Sequence, residues 1–111
     1  MSDARFARTP EPPYYAVVFT SQRTDGEQGH GATAERMVEL ARAREGFLGV
    51  ESARDAEGLG ITVSYWSSLE AIRAWKADTE HLDAQASGRR AWYERYEVRI
   101  CRVERAYRFE R

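Results

Sequence analysis

Between Glu80 and Tyr96 the chain carries polar side chains where an amphipathic helix would bury apolar ones. At about 100° per residue, His81, Gln85, Gly88, Trp92 and Tyr96 share one flank, and Leu82, Ala86, Arg89 and Tyr93 the adjoining one. Glu80, Asp83, Ser87, Arg90 and Glu94 fall on the opposite side. His81, Gln85 and Arg89 therefore point the way of the aromatics. Burying such groups without partners costs about 1–3 kcal/mol each, so they must meet one another, the backbone, water or a ligand. A histidine near its ordinary pKa of about 6.5 exchanges protons at neutrality, and a guanidinium can hold an enolate or phenolate oxygen. The chemistry expected is proton abstraction with anion stabilisation: His81 and Arg89 as catalytic residues, and Tyr65, Trp66, Gln85 and Trp92 as substrate-binding ones. The competing structural role is a satisfied core histidine, core tryptophans at 75 and 92, and Arg89 paired with Glu80 or Asp83.

Those residues need a strand and helices to hold them. Ile61, Val63 and Tyr65 alternate with Thr62, Ser64 and Trp66, the period of a strand. Ser67 followed by Glu70 fits a capping box, so a helix is expected to start there, with Leu69, Ile72 and Trp75 inward. Asp78 or Thr79 is expected to cap a second helix running towards Arg95.

Upstream, Tyr14 to Thr20 is expected to be a strand with apolar residues on both faces, a pattern typical of a sheet covered on both sides. The loop from Arg23 to Gly31 contains His30, with no second His or Cys at metal-ligand spacing. Thr33 to Arg44 is expected to be a helix, with Ala34, Met37, Val38 and Ala41 as its stripe and Gly46 as its left-handed stop. Phe47 to Arg54 is the second strand, with Gly49 marking a bulge or close approach, and Asp55 to Gly60 turns it into the third. Glu97 to Phe109 is expected as a long last strand with a bulge between Ile100 and Cys101, long enough to continue onto a partner subunit. Residues 1–13, with Pro10, Pro12 and Pro13, are expected to be a flexible lead-in to one domain over 14–111.

Composition bounds the function classes. A net charge of -1, from 17 basic and 18 acidic residues, offers no field for nucleic acid or anionic membrane. The arginines at 99, 102, 105, 108 and 111 switch strand face at each step, so they form no basic stripe. The longest apolar run is far short of the ~20 residues that span a bilayer, and no signal-peptide core is visible. With one cysteine, Cys101, neither an internal disulfide nor a cysteine metal cage can form, and a cytoplasmic setting is expected. No phosphate loop, zinc spacing or nucleophile elbow occurs.

The element order, strand, helix, strand, strand, helical region, strand, is the split βαβ or ferredoxin-like arrangement, an α+β fold with a four-stranded antiparallel sheet. Helices cover one face of such a sheet. An apolar second face predicts a homodimer.

The runs GFLGVES (46–52), ITVSYWSSLEAIRAWK (61–76) and EH..AQ..GR..WY (80–93) resemble the antibiotic biosynthesis monooxygenase domain family, in its small stand-alone bacterial members, over about 14–109. The resemblance implies a dimeric α+β barrel with a cavity in each subunit between sheet and helices. It also implies either of two activities: oxygenation without a cofactor, in which a deprotonated aromatic substrate itself reacts with O2, or haem degradation. Trp66 matches the tryptophan of the haem-degrading members. Their haem-ligand position falls on Gln85, with His81 one turn earlier, and their asparagine position near Phe19, both departures from that pattern. The expected function is thus a monooxygenase-like protein acting on a small aromatic or quinone-like molecule with no built-in cofactor and no metal. The alternative is a non-catalytic dimer binding a small ligand or haem.

Overall fold

The computed structural model describes residues 5–24, 30–85 and 93–111, with side chains in all but 30–35 and 81–85. Among the described residues six elements follow one another: β1 (Tyr14–Arg23), α1 (His30–Arg42), β2 (Phe47–Arg54), β3 (Leu59–Trp66), α2 (Leu69–Gln85) and β4 (Tyr93–Val103). The strands form one antiparallel sheet in the order β2-β3-β1-β4, the ferredoxin-like arrangement expected.

Because paired residues of antiparallel strands share a face, the register sorts the side chains. Tyr15, Val17, Phe19 and Ser21 of β1 stand beside Trp66, Ser64, Thr62 and Gly60 of β3 and beside Arg102, Ile100, Val98 and Tyr96 of β4. This is the helix side. Val17, Trp66, Ala41 of α1 and Ala71 and Ile72 of α2 make one buried cluster, with Tyr15, Phe47 and Trp75 packed against it. Trp66 is its centre, fully buried, with its Nε1–H donating to Ser64 Oγ at 2.9 Å. Phe47 meets its ring edge-on at 5.4 Å and Trp75 lies tilted over it at 5.2 Å.

The helix boundaries correct the expectations in three places. α1 begins at His30, inside the segment expected to be a loop, and ends at Arg42. Ser68, not Ser67, caps α2: its Oγ accepts the Ala71 N–H at 3.1 Å, while the Ser67 N–H is already given to Gly46 O at 2.8 Å. Nor does a new helix begin at Asp78 or Thr79, since α2 runs unbroken through both. Both Asp78 carboxylate oxygens accept from Arg44, at 2.7 and 2.8 Å, and the Thr79 hydroxyl donates back to Lys76 O at 2.8 Å. Neither side chain is left to cap a helix start. Arg44 is pushed above its ordinary pKa by that hydrogen bond and charge.

β4 also starts earlier and stops earlier than periodicity indicates. Tyr93 to Arg95, expected to close a helix, pair with β1 as strand, and residues 104–111 continue without regular structure. The β1–β4 register is unbroken at Ile100 and Cys101, and its irregularity lies at Gln22/Arg23 instead. Gly46 takes the expected positive φ of 97° and Gly49 sits in a register shift of β2. There the described part of the lead-in approaches: a Cβ on Gly49 would fall 2.9 Å from Ala7 Cβ. The Ala7 N–H donates to Glu51 Oε2 at 3.0 Å, and Thr9 Oγ1 shares a hydrogen bond with the Tyr14 hydroxyl at 2.9 Å. Residues 5–13 thus lie on the sheet face opposite the helices.

Candidate functional site

The adjacent residues Tyr65 and Trp66 are driven to opposite faces by the two-residue period of β3. Trp66 faces the helices and has no exposed surface. Tyr65 faces the other way, donating its hydroxyl to Glu51 Oε1 at 2.6 Å and meeting the Tyr14 ring edge-on at 5.9 Å. Burial, then the Glu51 hydrogen bond, pushes the Tyr65 phenol well above the ordinary tyrosine pKa. These two side chains, both expected as aromatic walls of one cavity, cannot line the same space. Trp66 and Trp75 instead close one end of the helix side as packed core.

His81 and Gln85 lie on α2, whose backbone carries them about 9 and 15 Å along the axis beyond Trp75, at 1.5 Å per residue. Their side chains lie outside the described residues, as do Arg89 and Trp92 altogether. The direction of α2 is informative nonetheless. It starts beside the Trp66 end of β3 and its connection rejoins the sheet at Tyr93, the residue paired with Arg23 at the far end. α1 starts from that same far end, six residues or so after β1 leaves it.

The helix side of the far end is built quite differently from the Trp66 end. Phe19, Tyr93 and Tyr96 form an aromatic trio: ring centroids lie 5.5 Å apart for Phe19–Tyr93, 5.3 Å for Phe19–Tyr96 and 5.9 Å for Tyr93–Tyr96. Tyr96 keeps 47% of its surface exposed, and Val98 and Ile100 next along the strand keep 46% and 52%. Beside the trio stands Arg54, paired across β2–β3 with Gly60. Its Nη2 donates to Ser21 Oγ at 3.0 Å and its Nη1 to Gly58 O at 2.5 Å. Burial pulls the Arg54 pKa below the ordinary arginine value, with smaller influences from Tyr93, Arg23 and Asp55, yet it stays a cation at neutral pH. Ser52 and Thr62 continue the polar surface, their hydroxyls 2.8 Å apart.

Sequence inspection overlooked Arg54, Phe19, Ser21, Tyr93 and Tyr96 as site residues. A signal was present for one of them. Arg54 shares the inward register of Val50 and Ser52 and faces a glycine across the hairpin, whereas a solvated arginine would take the outward register. No cluster of three or more metal-ligating side chains occurs among the described residues, and no described helix is long and apolar enough to cross a membrane. A cavity of about 650 Å³ lies elsewhere, between the lead-in at Phe6–Pro12 and the tail at Ala106–Arg111.

Comparison with known proteins gives the fold its relatives. The family model described as antibiotic biosynthesis monooxygenase matches residues 13–87. The chain is 55% identical over 104 residues to the uncharacterized protein YqjZ of Bacillus subtilis (strain 168), covering 94% of this chain and 91% of that one. Among solved structures it is similar to SnoaB, a cofactor-independent oxygenase from Streptomyces nogalater, at 14% identity and a TM-score of 0.71 over 86% of this chain and 97% of that one. It is also similar to a putative antibiotic biosynthesis monooxygenase from Chloroflexus aurantiacus, at 23% identity and a TM-score of 0.54 over 79% and 92% of the two chains. The family match over most of the chain and the extent of identity to YqjZ together show that the chain belongs to the antibiotic biosynthesis monooxygenase family.

Proposed function

We propose that this protein is a cofactor-independent monooxygenase acting on a small aromatic or quinone-like substrate. The observation that carries this is the aromatic trio Phe19, Tyr93 and Tyr96, of which Tyr96 is half-exposed, at the sheet end towards which the His81-bearing helix runs. Flat aromatic rings recognise one another by offset or edge contacts worth about 0.5–1.5 kcal/mol beyond burial, so the trio suits a polycyclic phenol. His81 takes the acidic proton of the substrate, and Arg89 holds the resulting oxyanion. The electron-rich carbanion then reduces O2. In the overall step a ring CH2 becomes C=O: one oxygen atom enters the carbon, and the other leaves as water with the two displaced hydrogens. All four electrons come from the substrate. Membership of the family and the likeness in fold to a cofactor-independent oxygenase support this chemistry.

The active form is a homodimer. On the sheet face away from the helices, Leu59 and Ile61 are 48% and 47% exposed, and beyond β4 Tyr107 and Phe109 are 98% and 83% exposed. A second copy set against that face would cover both.

Oxygen uptake with anthrone as probe tests the activity. One O2 consumed per anthrone, falling on the order of a hundredfold in His81→Ala, is the expected result. No uptake above the spontaneous rate, or uptake that His81→Ala leaves unchanged, would overturn it. Light scattering tests the assembly: a mass of twice 12.7 kDa is expected, and 12.7 kDa at micromolar concentration would refute the dimer.

A further inference from the structure

We propose that Arg54 is an anion-binding residue of the far-end site, holding the carboxylate or ionised phenol oxygen of an aromatic ligand whose ring lies against Phe19 and Tyr96. This rests on the reading above that an aromatic ligand occupies that end, and it adds the ligand's charge.

The first ground is the state of the guanidinium. Arg54 is half-buried, and its two hydrogen bonds go to neutral acceptors, Ser21 Oγ and Gly58 O. Among the described residues it makes no ion pair. Asp55, the carboxylate close enough to influence it, has its Oδ1 occupied by the N–H groups of Glu57 and Leu59, at 2.9 and 3.0 Å. A guanidinium carries five N–H donors in a planar fork, so donors remain for an incoming anion. A carboxylate or phenolate reaching the remaining donors would add charge-assisted hydrogen bonds, stronger than those to neutral acceptors.

The second ground is the seat made for it. A Cβ on Gly60 would fall 2.6 Å from Arg54 Nη2 and 2.8 Å from Nη1, so the guanidinium occupies the space that a side chain at 60 would take. Gly60 is itself buried, and the hydrogen bonds from Nη1 and Nη2 fix the fork in place. The third ground is adjacency. Ser21, which accepts from Arg54, is the register partner of Tyr96, and the Tyr96 ring lies tilted against Phe19 with centroids 5.3 Å apart. Cation and rings therefore share one face of the sheet. Together they select anionic aromatics over neutral ones.

The test compares 2-naphthoate with its neutral isostere 2-naphthamide, followed by quenching of protein fluorescence at low ionic strength. Wild type is expected to prefer the carboxylate on the order of tenfold, about the effect of one charge-assisted hydrogen bond. In Arg54→Gln that preference collapses while naphthamide affinity stays within about twofold of wild type. Gly60→Ala keeps the charge but displaces the fork, and is expected to lose the same preference, which guards against a folding defect peculiar to Arg54→Gln. Equal binding of both compounds to wild type, or a carboxylate preference that survives in both variants, would overturn the assignment of Arg54 and leave the aromatic site standing. Failure of wild type to bind either compound would sink the assignment and the aromatic site together.

Discussion

The helix side of this one sheet ends in two unlike environments. At the Trp66 end, indole, phenyl and methyl groups from β2, β3 and both helices shut out solvent, and the indole N–H finds its acceptor two residues away in Ser64. At the far end, some 20 Å along β3 at about 3.3 Å per residue, a guanidinium lies on a glycine, with Tyr96 on the same face half exposed. The strands are the same; the difference comes from what the helices bring. Ala41, Ala71 and Ile72 pack onto the first end, whereas the far end receives the start of α1 and the polar end of α2. A small domain can thus concentrate its tightest packing in one half of a layer and keep the other half more open. Stability and recognition should then separate on mutation.

The largest effect expected is from Trp66→Ala, which empties the packed end and should cost about 3–5 kcal/mol in urea denaturation. Its counterpart Tyr96→Ala, at the far end, should cost only about 1 kcal/mol. Equal costs would erase the contrast between the ends. Gly46→Ala comes next: a left-handed φ of 97° and a new Cβ 2.8 Å from that of Ala71 should together cost about 2 kcal/mol, seen as a lowered Tm. A smaller, pH-dependent effect belongs to the opposite sheet face. Because the Tyr65 pKa is raised on folding, the folded state keeps a proton that the unfolded chain releases above about pH 10. Its contribution is complete below that pH and declines as pH rises. Urea midpoints measured from pH 8 to 11 should therefore fall less steeply in Tyr65→Phe than in wild type. The smallest effect is expected from Arg44→Ala, since the Asp78 pair is exposed and screened. What loss there is should vanish in 1 M salt, where the screening length is about 3 Å.

Much of the scaffold can be read from local pattern. β2 runs over Phe47–Arg54 as its alternation indicates, Gly46 stops the chain in the left-handed region, and the hairpin joins β2 to β3. Errors arose where a residue's partner lies far off in sequence. Asp78 has the chemistry of a helix cap, but Arg44, 34 residues earlier, takes both its oxygens. Of the two serines at 67 and 68, only the fold tells which N–H is already used by Gly46. Tyr93 and Tyr96 fit a helical stripe as well as a strand, and pairing with β1 settles it. The candidate site was partly legible. His81 and Gln85 break the apolar pattern of α2, with side chains outside the described residues, while Tyr65 and Trp66 were placed together although a strand must part them.

By itself the amino-acid sequence determined the order of elements and the alternation that makes a sheet, because each of these depends on neighbours a few residues apart. Only the tertiary structure decided that Trp66 is sealed in the core, that Tyr65 turns away to Glu51, and that Arg54 lies bare on Gly60 beside Phe19 and Tyr96. Those outcomes depend on strand register and on which helix covers which end, and both emerge from contacts between segments that are distant along the chain.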